Sequence, residues 1–469
     1  MKQDQEAEKP GIKLASSTNR EAPEGQVDGI GADNTARIKE GESKEGKSHM
    51  EAIVSEENMR KAYRQVVGNG GSAGVDGMEV EALKDYLKVH WTRIKGELLE
   101  GIYRPQAVRK VMIPKPGGGE RMLGIPTVLD RMIQQGVQQI LSPIWEETFS
   151  ESSYGFRPGR SARQAVERAR GYQDEGKRVV VDIDLAQFFD EVNHARLMSR
   201  IMEKIPGDWR LHRLIHRYLT TGMMEEGAIG QREKGTPQGS PLSPLLSNIV
   251  LDELDKELEK RGHSFVRYAD DCNIYVNTER GGQRVLDSVS RFLEKRMRLK
   301  VNKEKSKVRK STKNKFLGFS FYGSRKGVRI RVSDESVARL RSRIREIMRK
   351  GRGQSLGKII EELNPLLQGW INYYSIADAK SMTETLDRWI RRRMRRVLWV
   401  QWKHPWTRRL KLMAAGLPEE QAVRSAFNDR GPWYNAGAPH MHLAYPNSYF
   451  RRLGLFSLHD KFLYLSPKM

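Results

Sequence analysis

Three consecutive valines, Val179-Val180-Val181, run into Asp182-Ile183-Asp184, and a second apolar segment, Phe265 to Val276, carries Asp270 and Asp271 near its centre. The first reads as a buried strand ending in acid, the second as a hairpin bent around its acidic pair. Carboxylates are costly inside a protein unless they are paired or hold a metal. A chain with both segments is therefore constrained to a sheet that delivers its aspartates to one reachable end. A lone Asp-Asp pair is ordinarily a solvated turn. Tyr268-Ala269-Asp270-Asp271 between apolar strands is a far more specific pattern.

Carboxylates so placed suit nucleotidyl transfer. That reaction uses two divalent ions, one on the attacking 3′ hydroxyl and one on the leaving pyrophosphate. Magnesium prefers carboxylate oxygens and leaves positions open for phosphates and water.

Charge points to the same class of substrate. The net charge is +24. Residues 301–350 hold 17 basic and 4 acidic side chains and residues 351–469 hold 19 and 9, so the last part of the chain carries nearly the whole excess. A localised positive field attracts a polyanion, because neutralising phosphates releases counterions. The single cysteine, Cys272, allows no internal disulfide and no cysteine-based zinc site, and reads as a packing residue in a reducing, cytoplasmic setting. No apolar run is long enough to span a bilayer, and Met1 to Pro10 is too polar for a signal peptide, so no membrane partner is expected.

A length of 469 residues suggests two to four structural units. Residues 1–50 contain no Phe, Trp or Tyr and read as disordered, with ordered structure starting near Ser55. Gly41, Gly46, Lys47 and Ser48 match the phosphate-loop pattern letter for letter. They lack its preceding buried strand, and Glu42 and Glu45 would repel phosphate, so the match is discounted. Downstream the pattern predicts a glycine-rich loop over 69–77, a helix over 79–101, a hairpin over 108–125 and helices over 127–142 and 195–220. A helix over 243–260 begins at a Ser243 cap; another spans 282–297, and a short strand spans 316–321. From Ser333, a good cap with Asp334 and Glu335 in its first turn, the chain is basic and helical. A domain boundary is expected at about 325–332.

These segments, in this order, resemble the reverse transcriptases. The resemblance implies an α+β right-hand polymerase: fingers and palm with antiparallel sheet over 51–325, followed by an α-helical thumb. Asp184, Asp270 and Asp271 become the catalytic, metal-binding triad, with two Mg²⁺ ions, or Mn²⁺ as a substitute. Phe189, five residues after Asp184, takes the place of an aromatic gate against the ribose 2′ hydroxyl. Gly235-Thr236-Pro237-Gln238-Gly239-Ser240 resembles the segment lining nucleotide and template, with Gln238 at its centre. Lys115 and Arg121, flanking Gly117-Gly118-Gly119, become triphosphate contacts on a fingers hairpin. Tyr154 to Ser161 matches a further segment, in which Arg157 serves either as a template contact or as a structural turn. Leu299 to Lys305 and Phe316-Leu317-Gly318-Phe319 resemble the later palm and primer-grip segments.

Two features narrow the resemblance to proteins encoded by group II introns. Asn69 to Gly77 resembles their N-terminal extension. Asn364 to Tyr374 and Leu386-Asp387-Arg388-Trp389 resemble their maturase region, which gives a maturase domain over 326–430 and a short basic tail over 431–469. Arg388, Arg391, Arg392 and Arg395 share one helix face and are the expected RNA contacts. The implied function is copying RNA into cDNA during retrohoming and stabilising the folded intron for splicing. The implied partners are group II intron RNA, DNA target and primer, and dNTPs, with a homodimer admitted and a bacterial cytosol or nucleoid favoured over an organelle. Without a cysteine after Cys272 no zinc-stabilised endonuclease is expected, and His440-x-His442, read on one strand face, lacks partner ligands for a metal. The competing readings are a maturase that no longer polymerises and a bacterial reverse transcriptase with a defence or repair role.

Overall fold

The computed structural model describes residues 48–114, 120–225, 228–230 and 233–466. Contacts divide the chain into two compact units, Met1–Ala165 with Val179–Arg309 and Val166–Arg178 with Lys310–Met469. The architecture is α+β, with antiparallel sheets followed by a long helical region. Among the described residues no helix is long and apolar enough to cross a membrane.

The first unit opens earlier than the composition predicts. The helix His49–Ile53 buries Met50 and Ile53 completely, and Asp208 accepts from the Ser48 hydroxyl (3.1 Å) and the Met50 N–H (3.3 Å). The expected disorder of residues 1–47, and the discounted phosphate loop apart from Ser48, lie outside the described residues. The helices Glu56–Asn69, Leu83–Leu99 and Val128–Glu146 pack their apolar faces into one core with Trp145 and Phe149. Within it the Asp130 carboxylate accepts from the hydroxyls of Thr127, Tyr103 and Tyr218.

Two sheets complete this unit. The hairpin Val108–Pro114/Glu120–Ile125 pairs Arg109 with Ile125 through Pro114 with Glu120, and Met223–Glu225 runs parallel along its edge. The second sheet has the order Ser264–Tyr268, Asp271–Val276, Val179–Ile183, Lys307–Lys310. Val179, Val180, Val181 and Ile183 are buried, as an unbroken apolar run requires. The predicted helix over 195–220 is two helices, His194–Lys204 and Trp209–Thr220, parted at Pro206-Gly207 where Gly207 takes φ +85°. Ser243 does not cap Ser243–Lys260: Leu242 holds that place, and the Ser243 hydroxyl donates back to the Pro237 carbonyl at 2.8 Å.

In the second unit a three-stranded sheet (Gly327–Val332, Phe319–Ser324, Lys315–Phe316) precedes the helices Asp334–Lys350, Leu356–Tyr374 and Lys380–Gln401. Ser333 caps the first as predicted, accepting from the Ser336 N–H. Gly318, in Phe316-Leu317-Gly318-Phe319, takes φ +82°, and a Cβ there would stand 2.5 Å from the Tyr374 hydroxyl, so the fold itself requires glycine. Residues 431–466 are not a tail. They form four short helices from Pro432 to Leu465, with Met441, Phe450 and Leu458 fully buried.

Candidate active site

The antiparallel register pairs Ile183 with Cys272 and Asp182 with Asn273, which sets Asp184, one residue past its strand, level with Asp271. On the other side Tyr268 pairs with Asp271 across a turn in which Ala269 adopts φ +57°. The three aspartates predicted from the sequence therefore meet at one end of one sheet. Asp184 is tied there by its backbone. Its N–H donates to Ser306 Oγ (3.0 Å), and its carbonyl accepts from the Asn302 N–H (2.8 Å). The Leu299–Lys305 segment thus straps the end of the acidic strand.

The electrostatics are those of crowded carboxylates. Burial and the neighbouring charges of Asp270, Asp182 and Asp184 push Asp271 up to about 7. Asp271 also keeps an exposed surface, which leaves it open to a ligand. Burial also raises Asp184, with Asp270 adding to the rise while Lys305 and Asn302 oppose it. Lys305 Nζ stands 3.9 Å from Asp184 and is the nearby counter-charge. Among the described residues no three His, Cys, Asp or Glu side chains yet converge on a single point. The donor set nonetheless suits a divalent cation: hard carboxylate oxygens, with Asp184 and Asp271 held toward their protonated forms by burial and neighbouring carboxylates, which a cation would relieve.

The turn has a buried support that the sequence reading missed. Arg267 is fully buried. It donates to both oxygens of Asp255 (2.7 and 2.5 Å), to Asn248 Oδ1 (2.9 Å), to Ser153 Oγ (2.7 Å) and to the Ala269 carbonyl (2.9 Å). Gly155 lies against the same turn. A Cβ there would come 2.2 Å from the Ala269 nitrogen, and the Gly155 carbonyl accepts from Asn248. Tyr154 to Ser161 therefore backs the aspartate hairpin. Arg157 settles as a structural turn: it is buried, its Nε bridges both Glu146 oxygens at 3.0 Å, and Nη1 donates to the Ser150 and Ser153 carbonyls. Gly155→Ala should displace Ala269 and cut kcat for primer extension by about 10²-fold, the scale of a 1 Å misplacement, with little change in KM for dNTP. Steady-state kinetics on a fixed template checks this.

The residues expected to line the nucleotide are joined through backbone. Phe189 lies on the short helix Phe188–Glu191, entered through Gln187 at φ +50°. Its carbonyl accepts from the Thr236 N–H, and a Cβ on Gly235 would meet the Phe189 carbonyl at 2.9 Å. At the loop's other end the Gln238 carbonyl accepts from the Gly124 N–H at 2.9 Å. The loop thus bridges Phe189 and the fingers hairpin, which carries the exposed Arg121 on its second strand. Lys115 and the glycines beside it lie outside the described residues.

The expected arginine face on Lys380–Gln401 is corrected by the structure. Of the four, Arg388 is the exposed one, loosely paired with Glu384 at 3.8 Å. Arg391 turns toward Asp387 (4.0 Å), and Arg392 donates to the Trp433 carbonyl and stacks on its ring. Arg395 is 2% exposed, donating to the Tyr445 carbonyl and Asn447 Oδ1; burial and Arg391 pull its pKa down to about 10. The cause is the C-terminal helices, which pack on this face. Arg395→Ala should cost about 2 kcal/mol of stability through lost charge-assisted bonds, measured by denaturant unfolding, while Arg388→Ala should cost almost nothing. His440 and His442 lie on the helix Pro439–Ala444, not a strand, and His440 packs on Trp399.

Comparison with known proteins places these features. Residues 113–321 match the family described as reverse transcriptase (RNA-dependent DNA polymerase), and residues 337–416 match the group II intron maturase-specific domain. The chain is 32% identical over 296 residues to the protein YkfC of Escherichia coli K12, covering 55% of this chain and 77% of that one. It is 37% identical over 196 residues to the group II intron-encoded protein LtrA of Lactococcus lactis, covering 42% of this chain and 32% of LtrA. A retron reverse transcriptase of Myxococcus xanthus is 29% identical over 223 residues, 45% of this chain and 50% of its own length. The chain thus spans three quarters of one relative but only a third to a half of the others.

Proposed function

Since the chain belongs to the family of group II intron reverse transcriptases with a maturase domain, we propose that it copies RNA into DNA and also binds its parent intron RNA in a splicing-competent fold. The observation that carries the polymerase reading is the level placement of Asp184 with Asp270-Asp271 at one sheet end. Asp184, Asp270 and Asp271 would hold the metal. The reverse transcriptase family uses divalent ions, and two Mg²⁺, with Mn²⁺ as a substitute, are the natural occupants of hard carboxylate sites. Such ions lower the pKa of the attacking hydroxyl and neutralise the leaving pyrophosphate.

The chain's own residues do the positioning. Phe189, fixed through its carbonyl to the Gly235–Gln238 loop, is the residue whose ring, in this reading, meets the sugar of an incoming dNTP. Arg121 supplies an exposed positive charge for the triphosphate, with Lys115 proposed beside it. In this reading most of the fingers and palm fall in the first unit, while the second holds the maturase helices together with residues 166–178 and 310–325 of the expected 51–325 span. The DNA target supplies the primer, and a bacterial cytosol or nucleoid is the setting.

The test is primer extension on an RNA template with dNTPs and Mg²⁺, together with intron splicing at near-physiological salt. Extension that chelation abolishes and splicing that the protein stimulates support both halves. Tight RNA binding and splicing without extension would leave a maturase that keeps the polymerase motifs only as scaffold.

A further inference from the structure

The helix Lys380–Gln401 presents a second cationic face, beside that of Arg388 to Arg395, between the helix Asp334–Lys350 and Trp433 of the C-terminal helices. Trp389, Arg393, Arg396 and Val400 follow one another at helical spacing, and Arg345, Met348 and Arg349 face them from the helix Asp334–Lys350. Between them lies a groove of about 480 Å³, closed at one side by the half-exposed Trp433. Among the described residues none of Arg345, Arg349, Arg393 or Arg396 has a carboxylate within ion-pair distance; the nearest acid on that helix, Glu346, is engaged with Arg343 and Lys350. The guanidinium of Arg345 lies 5.6 Å from the Trp389 ring centroid, and that of Arg393 lies 4.9 Å from Trp389 and 5.3 Å from Trp433. Burial and the like charges of Arg345 and Arg396 already weaken Arg393's hold on its proton.

Four unpaired arginines in one groove repel one another, and a fold gains nothing from gathering them without an anion. Indole faces beneath two of them hold the planar forks in place, so each can offer paired donors to a phosphate without first losing rotamer freedom. We infer that this groove, and not the Arg388–Arg395 face, is where the maturase helices grip the phosphodiester backbone of RNA. The inference rests on the RNA-binding half of the proposed function and adds its location. Its chemistry is sequence-independent, since no side chain in the groove other than arginine offers a charged or fork-shaped contact to a base or phosphate. A folded RNA and an RNA–DNA hybrid present the same phosphates, so the groove's chemistry does not choose between intron and template–primer; the measurement does.

The experiment measures binding of the full chain to an RNA hairpin and to an RNA–DNA hybrid of equal length across a salt series. It uses wild type, a variant with Arg345, Arg349, Arg393 and Arg396 all changed to Gln, and one with the same four changed to Lys. Each phosphate neutralised contributes roughly 0.7–0.9 to the slope of log K against log salt, so the Gln variant should lose about three from that slope. The Lys variant, which keeps the charge, should retain it and weaken only through the lost forks. A slope change on the hairpin alone assigns the groove to folded RNA, and one on the hybrid alone assigns it to template–primer. An unchanged slope on both probes overturns the inference, as does a Lys variant that falls as far as the Gln variant. If wild type itself binds neither probe, the RNA-binding reading fails first, and that result is read before any variant is compared.

Discussion

Asp184→Asn, and Asp270→Ala combined with Asp271→Ala, should each abolish primer extension, a loss of about 10³-fold or more, since the metal contribution to transition-state stabilisation is worth several kcal/mol. The fold should not suffer. Asp271 binds its proton more tightly in the folded chain, with a pKa of about 7 against an ordinary 3.8. An acid whose folded pKa is raised takes up more protons folded than unfolded, so its contribution to stability falls as pH rises through that window. In chelator, the wild-type melting temperature should therefore decline between about pH 4 and pH 7, and Asp271→Asn should flatten that decline. Added Mg²⁺ should raise the wild-type melting temperature at pH 7 and leave the double variant unmoved. A double variant that still extends primers would remove these aspartates from the chemistry. One that loses extension but still gains stability from Mg²⁺ would place the metal elsewhere.

What the sequence made legible follows from how local each signal was. Val179 to Asp184 and Phe265 to Val276 announced themselves because a buried strand and a tight hairpin are written in consecutive residues, and their antiparallel register then left Asp184 nowhere to lie but level with Asp271. The Ser333 cap was legible for the same reason. The arginine face failed because helical spacing reports which residues share a face, not what covers it. Arg388, Arg391, Arg392 and Arg395 do share a face, and the helices after Pro432 bury most of it with Trp433, Tyr445 and Asn447. The start near Ser55 failed for a related reason: Met50 and Ile53 are too few to register as a core segment, yet both are completely enclosed. Arg157 matched a motif whose letters cannot say whether a guanidinium faces substrate or, as here, Glu146 and two carbonyls. Arg267 does leave a trace in the sequence: a charged residue among the apolar positions of a strand, with Asp252 and Asp255 on the buried side of the helix Ser243–Lys260 just before it.

That buried arginine offers the sharpest separation of scaffold from chemistry. Arg267→Met leaves the Asp255 carboxylate fully buried without its partner, and breaking such a pair costs about 3–5 kcal/mol. The single variant should therefore unfold at much lower denaturant. Arg267→Met with Asp255→Leu removes both charges and should recover most of that loss, because well-packed apolar replacements of a buried pair are often neutral or stabilising. Activity should not recover with it. The Ala269 carbonyl and Ser153 still lack the donors that hold the aspartate turn, and a turn free to shift by an ångström should cost about 10²-fold in kcat while dNTP KM, which the proposed function assigns to Arg121 and the Gly235–Gln238 loop, stays near wild type. Denaturant unfolding and steady-state primer extension on the same preparations decide it. If the double variant regains stability and extends at the wild-type rate, Arg267 serves the fold alone and the turn needs no anchor beyond its strands. If stability returns and kcat does not, the guanidinium positions the catalytic hairpin, and a residue that touches neither substrate nor metal sets how well the aspartates meet them.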